Sequence, residues 1–265
     1  VIMYMQQLMF FSFEQALVQI LYRHVLLRSL DIAQAIRLIQ AVCPALAGPA
    51  ECIGLSTAAY AAIANYGVYN EPKLYTKVLD HDGNILIDNT AAASHRVIKE
   101  STAWLLDSAL RSVVTDNITF LDSKNMYYAG KSGTSQLNTD KWFIGFSPYY
   151  TAGVWIGNDD STPVNTNYYT MPQLNIWKDI MEHAHEGLEY TEFQKPYNIV
   201  EAEVCASSGK LAIPGLCDSD PRGSQVIKEY FEDGTVPTEV CDVHIQVTMC
   251  KDSNKIATDS CPPES

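Results

Sequence analysis

Between Tyr128 and Thr134 the chain reads Tyr-Ala-Gly-Lys-Ser-Gly-Thr, and two apolar, strand-like runs follow at once. Lys131 brings a cation, Ser132 and Thr134 bring hydroxyls, and Gly133 leaves backbone uncovered so that another extended chain can lie against it. Together they suit one wall of an acyl-transfer cleft, which also requires a nucleophile. In isolation the same tetrapeptide equally describes a solvent-facing edge strand. Among all the serines only Ser207 opens a Ser-x-x-Lys pattern, with Lys210. It belongs to a Cys-bracketed turn far downstream, whose second copy has Asp252 at the matching position, so Ser207 reads as a turn residue. His183, His185 and Glu186 have the wrong spacing for a helical metal site, because residues two apart on a helix do not share a face. They read as a solvated helix end. Trp104, Trp142, Trp155 and Trp177 stand in apolar settings and read as core.

The elements that must carry the wall follow from periodicity. Residues 13–42 show helical spacing interrupted at Ser29-Leu30-Asp31, which predicts two helices joined near Ser29. Residues 56–69 are alanine-rich and stop at Asn65-Tyr66-Gly67, as a helix closed by a left-handed glycine does. Alternation on both sides of His81-Asp82-Gly83-Asn84 predicts a β-hairpin over 73–88. Residues 99–114 return to helical spacing, with Ser101 or Thr102 as the start. Three strand-like runs, 126–134, 140–148 and 150–159, precede a last helix over 174–188. Helices on either side of clustered strands predict an α+β fold with an antiparallel sheet.

Of the 265 residues, 47% are hydrophobic and 18% charged, enough for one moderate core and a small appendage. The formal net charge of -13 argues against a nucleic-acid or anionic-membrane partner, both of which reward clustered Lys and Arg. No run reaches the roughly 18 apolar residues that span a bilayer. The apolar opening is broken by Gln6 and Gln7 and lacks a basic leader, so the chain reads as a soluble piece. Five of the seven cysteines fall in the last 61 residues, where Cys205 to Cys217 and Cys250 to Cys261 bracket a repeated Ser-x-Lys-(Leu/Ile)-Ala turn. Disulfides closing two small hairpins are the favoured reading. A thiolate zinc site with His244 is the competitor, but 11 and 10 residues separate the pairs rather than the roughly two to four of a zinc knuckle. No metal and no cofactor is expected.

The segments around Lys131 also carry a resemblance. "AGKSGTS" with "DKWFIGFSPYYTAGVWIGNDD", preceded in order by "AAYAAIANYGVYNEPKLYTKVLDHDGNIL" and "RVIKESTAWLLDSALRSVV", resembles the transpeptidase domain of class A penicillin-binding proteins over about Leu27 to Leu188. The Cys-rich tail resembles the small C-terminal extension of some Gram-positive members. The resemblance implies an α+β domain over 1–192, an antiparallel sheet flanked by helices but incomplete, and a small Cys-rich β extension over 193–265. It also implies Lys131 as the cation serving the substrate carboxylate and the proton relay, with Ser132, Gly133 and Thr134 binding substrate and the Thr134 N–H as one oxyanion donor. Ser29-Leu30-Asp31 matches the family's Ser-x-Asn, with Ser29 as a relay residue and Asp31 where an amide belongs. An ionised Asp only accepts hydrogen bonds, which bears directly on substrate binding. Helix capping by Ser29 and Asp31 is the equal alternative.

The family's Ser-x-x-Lys is expected upstream of Val1, and a few tens of residues are expected to be missing before Ala58. The resemblance therefore implies peptidoglycan D,D-transpeptidation by the family, with stem peptides and β-lactams as ligands, while this chain alone is expected to be inactive. It further implies an extracytoplasmic location through an upstream membrane anchor beside a glycosyltransferase domain. The alternatives are a non-catalytic remnant, a cell-wall binding module, or a D,D-carboxypeptidase or β-lactamase type of hydrolase.

Overall fold

The computed structural model describes residues 49–73, 75–91, 93–135, 137–160, 162–164, 171–250 and 255–257. The two helices expected over residues 13–42 lie outside them. The chain divides into two compact units, one running to Ile199 and the other starting at Val200.

The first unit is built on a three-stranded antiparallel sheet in the order β5-β6-β7, where β5 is Ala129–Thr134, β6 is Asp140–Phe146 and β7 is Thr151–Gly157. Helices α1 (Pro49–Ala64) and α2 (Glu100–Ser112) stand before the sheet in sequence, and α3 (Pro172–Ala184) follows it. Side chains alternate across a strand, so each strand feeds two cores. On one face Tyr127, Ala129, Ile144 and Phe146 pack with Tyr60 and Ile63 of α1 and Ala103, Leu106 and Leu110 of α2. On the other, Tyr128, Phe143 and Val154 pack with Leu174, Trp177 and Met181 of α3. The α2 and α3 residues recur at i, i+3 and i+7, the single apolar stripe that a helix buries against a sheet. This is the expected α+β architecture.

Close approach has a sequence cause. A Cβ on Gly153 of β7 would stand 2.4 Å from Thr57 Oγ1 of α1, and one on Gly145 of β6 would stand 2.7 Å from the Trp177 ring of α3. Glycine at these two points lets both helices settle directly on the sheet. Helix α1 ends as its sequence predicts, with Gly67 at φ +86 and its N–H returning to the Ala62 carbonyl at 2.7 Å. The hairpin also forms, pairing β2 (Lys77–Leu79) with β3 (Ile85–Asp88). Its turn is held by Asp80, whose Oδ1 accepts the N–H groups of Asp82 and Asn84.

Three local expectations are corrected. Helix α2 begins at Glu100 after Lys99, so neither Ser101 nor Thr102 caps it; both are buried in the first turn. The helix does not stop with its pattern but continues into a π-helical turn at Val113–Asn117, whose Val113 and Val114 join the α3-side core. His185 is buried rather than solvated. Ser147, in the β6–β7 turn, accepts the N–H groups of Tyr149 and Tyr150 through Oγ, which leaves its own proton for His185 Nε2 at 2.7 Å. That fixes the imidazole proton on Nδ1, which donates to the Met181 carbonyl at 2.6 Å. Three tyrosine rings, Tyr128, Tyr149 and Tyr150, surround the imidazole edge-on. The pair looks like a nucleophile and base, but every lone pair and proton is committed to holding the turn against the end of α3.

Behind the sheet, Asp107 of α2 is buried and accepts from the Tyr127 hydroxyl at 3.0 Å, with its other oxygen unpartnered among the described residues. Desolvation pushes its carboxyl up to about 8, against the lowering by the Tyr127 bond and Arg111. The folded state therefore holds a proton that the unfolded chain releases, and Asp107 makes stability fall as pH rises from about 4 to about 8. Urea titrations across that window are expected to lose this downward slope in Asp107→Asn. Replacing Ser147 by Ala strips the acceptor from two backbone N–H groups and the donor from His185, and thermal unfolding is expected to report a loss of about 1–3 kcal/mol.

Candidate active site

Among the described residues, strand β5 lies at one edge of the sheet, paired with β6 alone. Lys131 stands opposite Ile144 and Gly133 opposite Trp142. Because Tyr127 and Ala129 belong to the core shared with α1 and α2, the alternation of the strand puts Lys131 and Gly133 on that same helix-facing side. Burial fades along the strand from Ala129 to an exposed Thr134, so the apolar core gives way to an open wall at Lys131. The Lys131 side chain is only 9% exposed, and its ammonium donates to the Ser132 carbonyl at 2.7 Å. Burial pulls its pKa below the usual lysine value. A largely desolvated cation held over an edge strand has few competing solvent contacts, the condition in which it attracts a carboxylate or hands on a proton most strongly.

Gly133 has Trp142 directly across from it, and Trp142 in turn has Trp155 across on β7, with ring centroids 6.1 Å apart. Sequence reasoning took all four tryptophans as core, and Trp177 is wholly buried. Trp142 and Trp155 instead make a half-buried row beside the glycine. The Trp155 indole N–H is taken by Asp140 at 3.0 Å, while that of Trp142 is buried without an acceptor among the described residues. Their cross-strand register with Gly133 is the signal that the sequence held, since 133, 142 and 155 align as soon as the two turns are drawn.

The structure brings Lys131, Ser132, Gly133 and Thr134 together on β5. Ser29 and Asp31 lie outside the described residues. Ser123-Lys124-Asn125, a literal Ser-x-Asn only six residues before Lys131, closes a local turn, with the Asn125 N–H donating to Ser123 Oγ at 3.1 Å. Ser207 also sits in a turn, its hydroxyl on Gln225, while Lys210 is engaged by Asp242 and Glu239. That pair makes no nucleophile and relay.

The cysteine expectation is corrected in its first half. Cys205, Cys217 and Cys241 are free, buried thiols, so Cys205 and Cys217 do not close a disulfide. With His244 they form one group whose ligand atoms all lie within 4.8 Å of one another. Cys250 is disulfide-bonded, on a short hairpin that pairs Met249 with Ile256.

An antiparallel sheet clasped by helices, with Lys-Ser-Gly-Thr along its edge strand, defines a penicillin-binding type of transpeptidase domain. Residues 56–182 match the sequence-family model for the penicillin-binding protein transpeptidase domain, and residues 195–246 match that for the penicillin-binding protein 1A C-terminal domain. Penicillin-binding protein 1A of Clostridium botulinum is 39% identical over 206 residues, 77% of this chain and 24% of the relative. Its namesake in Clostridium tetani is 41% identical over 194 residues, 71% of this chain and 24% of the relative. The crystal structure of penicillin-binding protein 1A from Haemophilus influenzae shares the fold, with a TM-score of 0.61 and 20% identity over 80% of this chain and 38% of that one. The chain belongs to the class A penicillin-binding protein family, as part of its transpeptidase domain. It spans about a quarter of the length of the curated relatives it matches. Among the described residues no helix is long and apolar enough to cross a membrane.

Proposed function

We propose that residues 49–199 supply the substrate-binding wall of a peptidoglycan D,D-transpeptidase whose serine nucleophile stands on another segment of the protein. The observation that carries this reading is the placement of Lys131: a largely desolvated ammonium on the helix-facing side of a strand that, among the described residues, pairs on one side only. A stem peptide ending in D-Ala-D-Ala is an extended chain with a terminal carboxylate. The open edge of β5 offers main-chain pairing to such a strand, and Gly133 leaves room for it to approach. Lys131 then attracts the carboxylate and sustains proton transfer to and from the serine, with Ser132 and Thr134 as hydroxyl donors. The Thr134 backbone N–H is one of the two donors to the oxyanion, the other being the nucleophile's own N–H. On the family pattern Ser29 serves as a relay residue, and Asp31 takes the place of the family's amide. A β-lactam is bound on the same logic, because its strained amide and carboxylate mimic the dipeptide terminus. The full-length protein acts outside the membrane, anchored upstream.

Fluorescent penicillin labelling separates this reading from its rivals. The 265-residue chain is expected to remain unlabelled, and the same chain extended upstream through a Ser-x-x-Lys segment is expected to acylate. Lys131→Ala in the extended protein is expected to slow acylation by about 10²–10⁴-fold with the thermal midpoint nearly unchanged. Labelling of the 265-residue chain itself would place a nucleophile within it. No labelling of the extended protein would leave a binding module or non-catalytic remnant.

A further inference from the structure

One buried cluster of the second unit consists of Cys205, Cys217 and Cys241, with Ala212, Ile213 and Val226 packed around them. Val204 and Phe231 are the large apolar side chains fully buried in the same unit among the described residues. A unit that starts at Val200 and has so small an apolar centre falls in the size range where burial alone rarely suffices and a disulfide or metal is the usual remedy. Three thiols cannot pair off completely. The fold nevertheless carries all three, with an imidazole, to one point.

Backbone pairing makes that convergence. Strand β8 (Ile199–Cys205) ends at Cys205, and the turn after it returns so that Leu211 pairs with Val204. Leu211 also pairs with Val240, and its carbonyl takes the Cys241 N–H at 2.8 Å, which sets Cys241 beside Cys205. Cys241-Asp242-Val243-His244 then turns tightly enough to aim its imidazole back at its own sulfur. Cys217 arrives from the start of a 3-10 turn, with its Sγ accepting the Ile213 N–H at 3.2 Å.

The geometry points to a structural zinc centre ligated by Cys205, Cys217, Cys241 and His244. Nδ1 of His244 lies 3.3 Å from Sγ of Cys205 and 3.3 Å from Sγ of Cys241. One ring N–H cannot serve two sulfurs, but the edge between a sulfur and a nitrogen on a zinc tetrahedron is about 3.6 Å, from bonds of about 2.3 and 2.0–2.1 Å. The far nitrogen, Nε2, meets Asp220 Oδ2 at 2.9 Å, and Asp220 is held in turn by Arg222 at 2.7 Å. A carboxylate behind the imidazole fixes the tautomer that presents Nδ1 and strengthens it as a ligand. Four protein ligands leave no open position, so the centre is structural and not catalytic. Three thiolates and one imidazole are a soft set that selects zinc over magnesium or calcium.

The full 265-residue chain, purified with thiols reduced and without chelator, is expected to carry about one zinc per molecule by plasma mass spectrometry. Replacement of zinc by cobalt is expected to give the visible bands of a tetrahedral site and a sulfur-to-cobalt charge-transfer band. Asp220→Asn is expected to keep the stoichiometry while weakening zinc roughly 10–100-fold. Reduced protein that takes up neither metal, or peptide mapping that finds two of the three thiols joined in a disulfide in protein purified without added oxidant, overturns the assignment. Unchanged affinity in Asp220→Asn overturns His244 Nδ1 as the fourth ligand. Metal content and penicillin labelling are independent readouts, so this inference and the transpeptidase reading fail separately.

Discussion

The alternation of side chains across one edge strand sets the terms for the whole of residues 49–199. Tyr127 and Ala129 leave β5 and its approach toward α1 and α2, while Tyr128 leaves toward α3, so the strand is pinned from both faces before it reaches Lys131. A slip of one residue would send Lys131 into the α3-side core and Tyr128 into the cleft wall. The register with β6, Ala129 against Phe146 and Lys131 against Ile144, opposes that slip by seating Phe146 in one core and Phe143 in the other. The cation is therefore positioned by apolar packing two and four residues upstream of it, with no ion pair of its own among the described residues.

Much of this was legible in the chain itself. The Lys-Ser-Gly-Thr strand, the two strands after it, the Asp-Gly hairpin and the glycine end of α1 all announce themselves through short-range periodicity and turn chemistry, and all are present. What escaped was decided by partners distant in sequence. The capping preference of Ser101 and Thr102 lost to their burial in the first turn of α2, and His185 is 38 residues from the serine that dries and orients it. The Trp142 and Trp155 row depends on register, which a single strand does not display. Ser29 and Asp31 lie outside the described residues, so the facing wall rests on the family resemblance.

The cysteines show how a spacing rule misleads. Comparing Cys205 with Cys217 and Cys250 with Cys261 drew attention to the repeat, whose halves turn out chemically different: one set of free thiols and one disulfide-bonded cysteine. The short pair on which the proposed zinc centre draws is Cys241-x-x-His244, which the repeat does not contain. Its partners come from other segments, joined through the backbone of Leu211 rather than through sequence proximity.

Phe193 ties the last stretch of the first unit back into its core. Its ring meets Tyr66, Tyr127 and Phe146 edge-on, at centroid distances of 5.9, 5.5 and 5.7 Å. Tyr127 stands at the root of the strand that carries Lys131, and Tyr66 stands at the glycine end of α1. One aromatic ring thus fastens the segment that follows α3 to two elements far behind it in sequence, and deleting it would loosen the root of β5 and the end of α1 together.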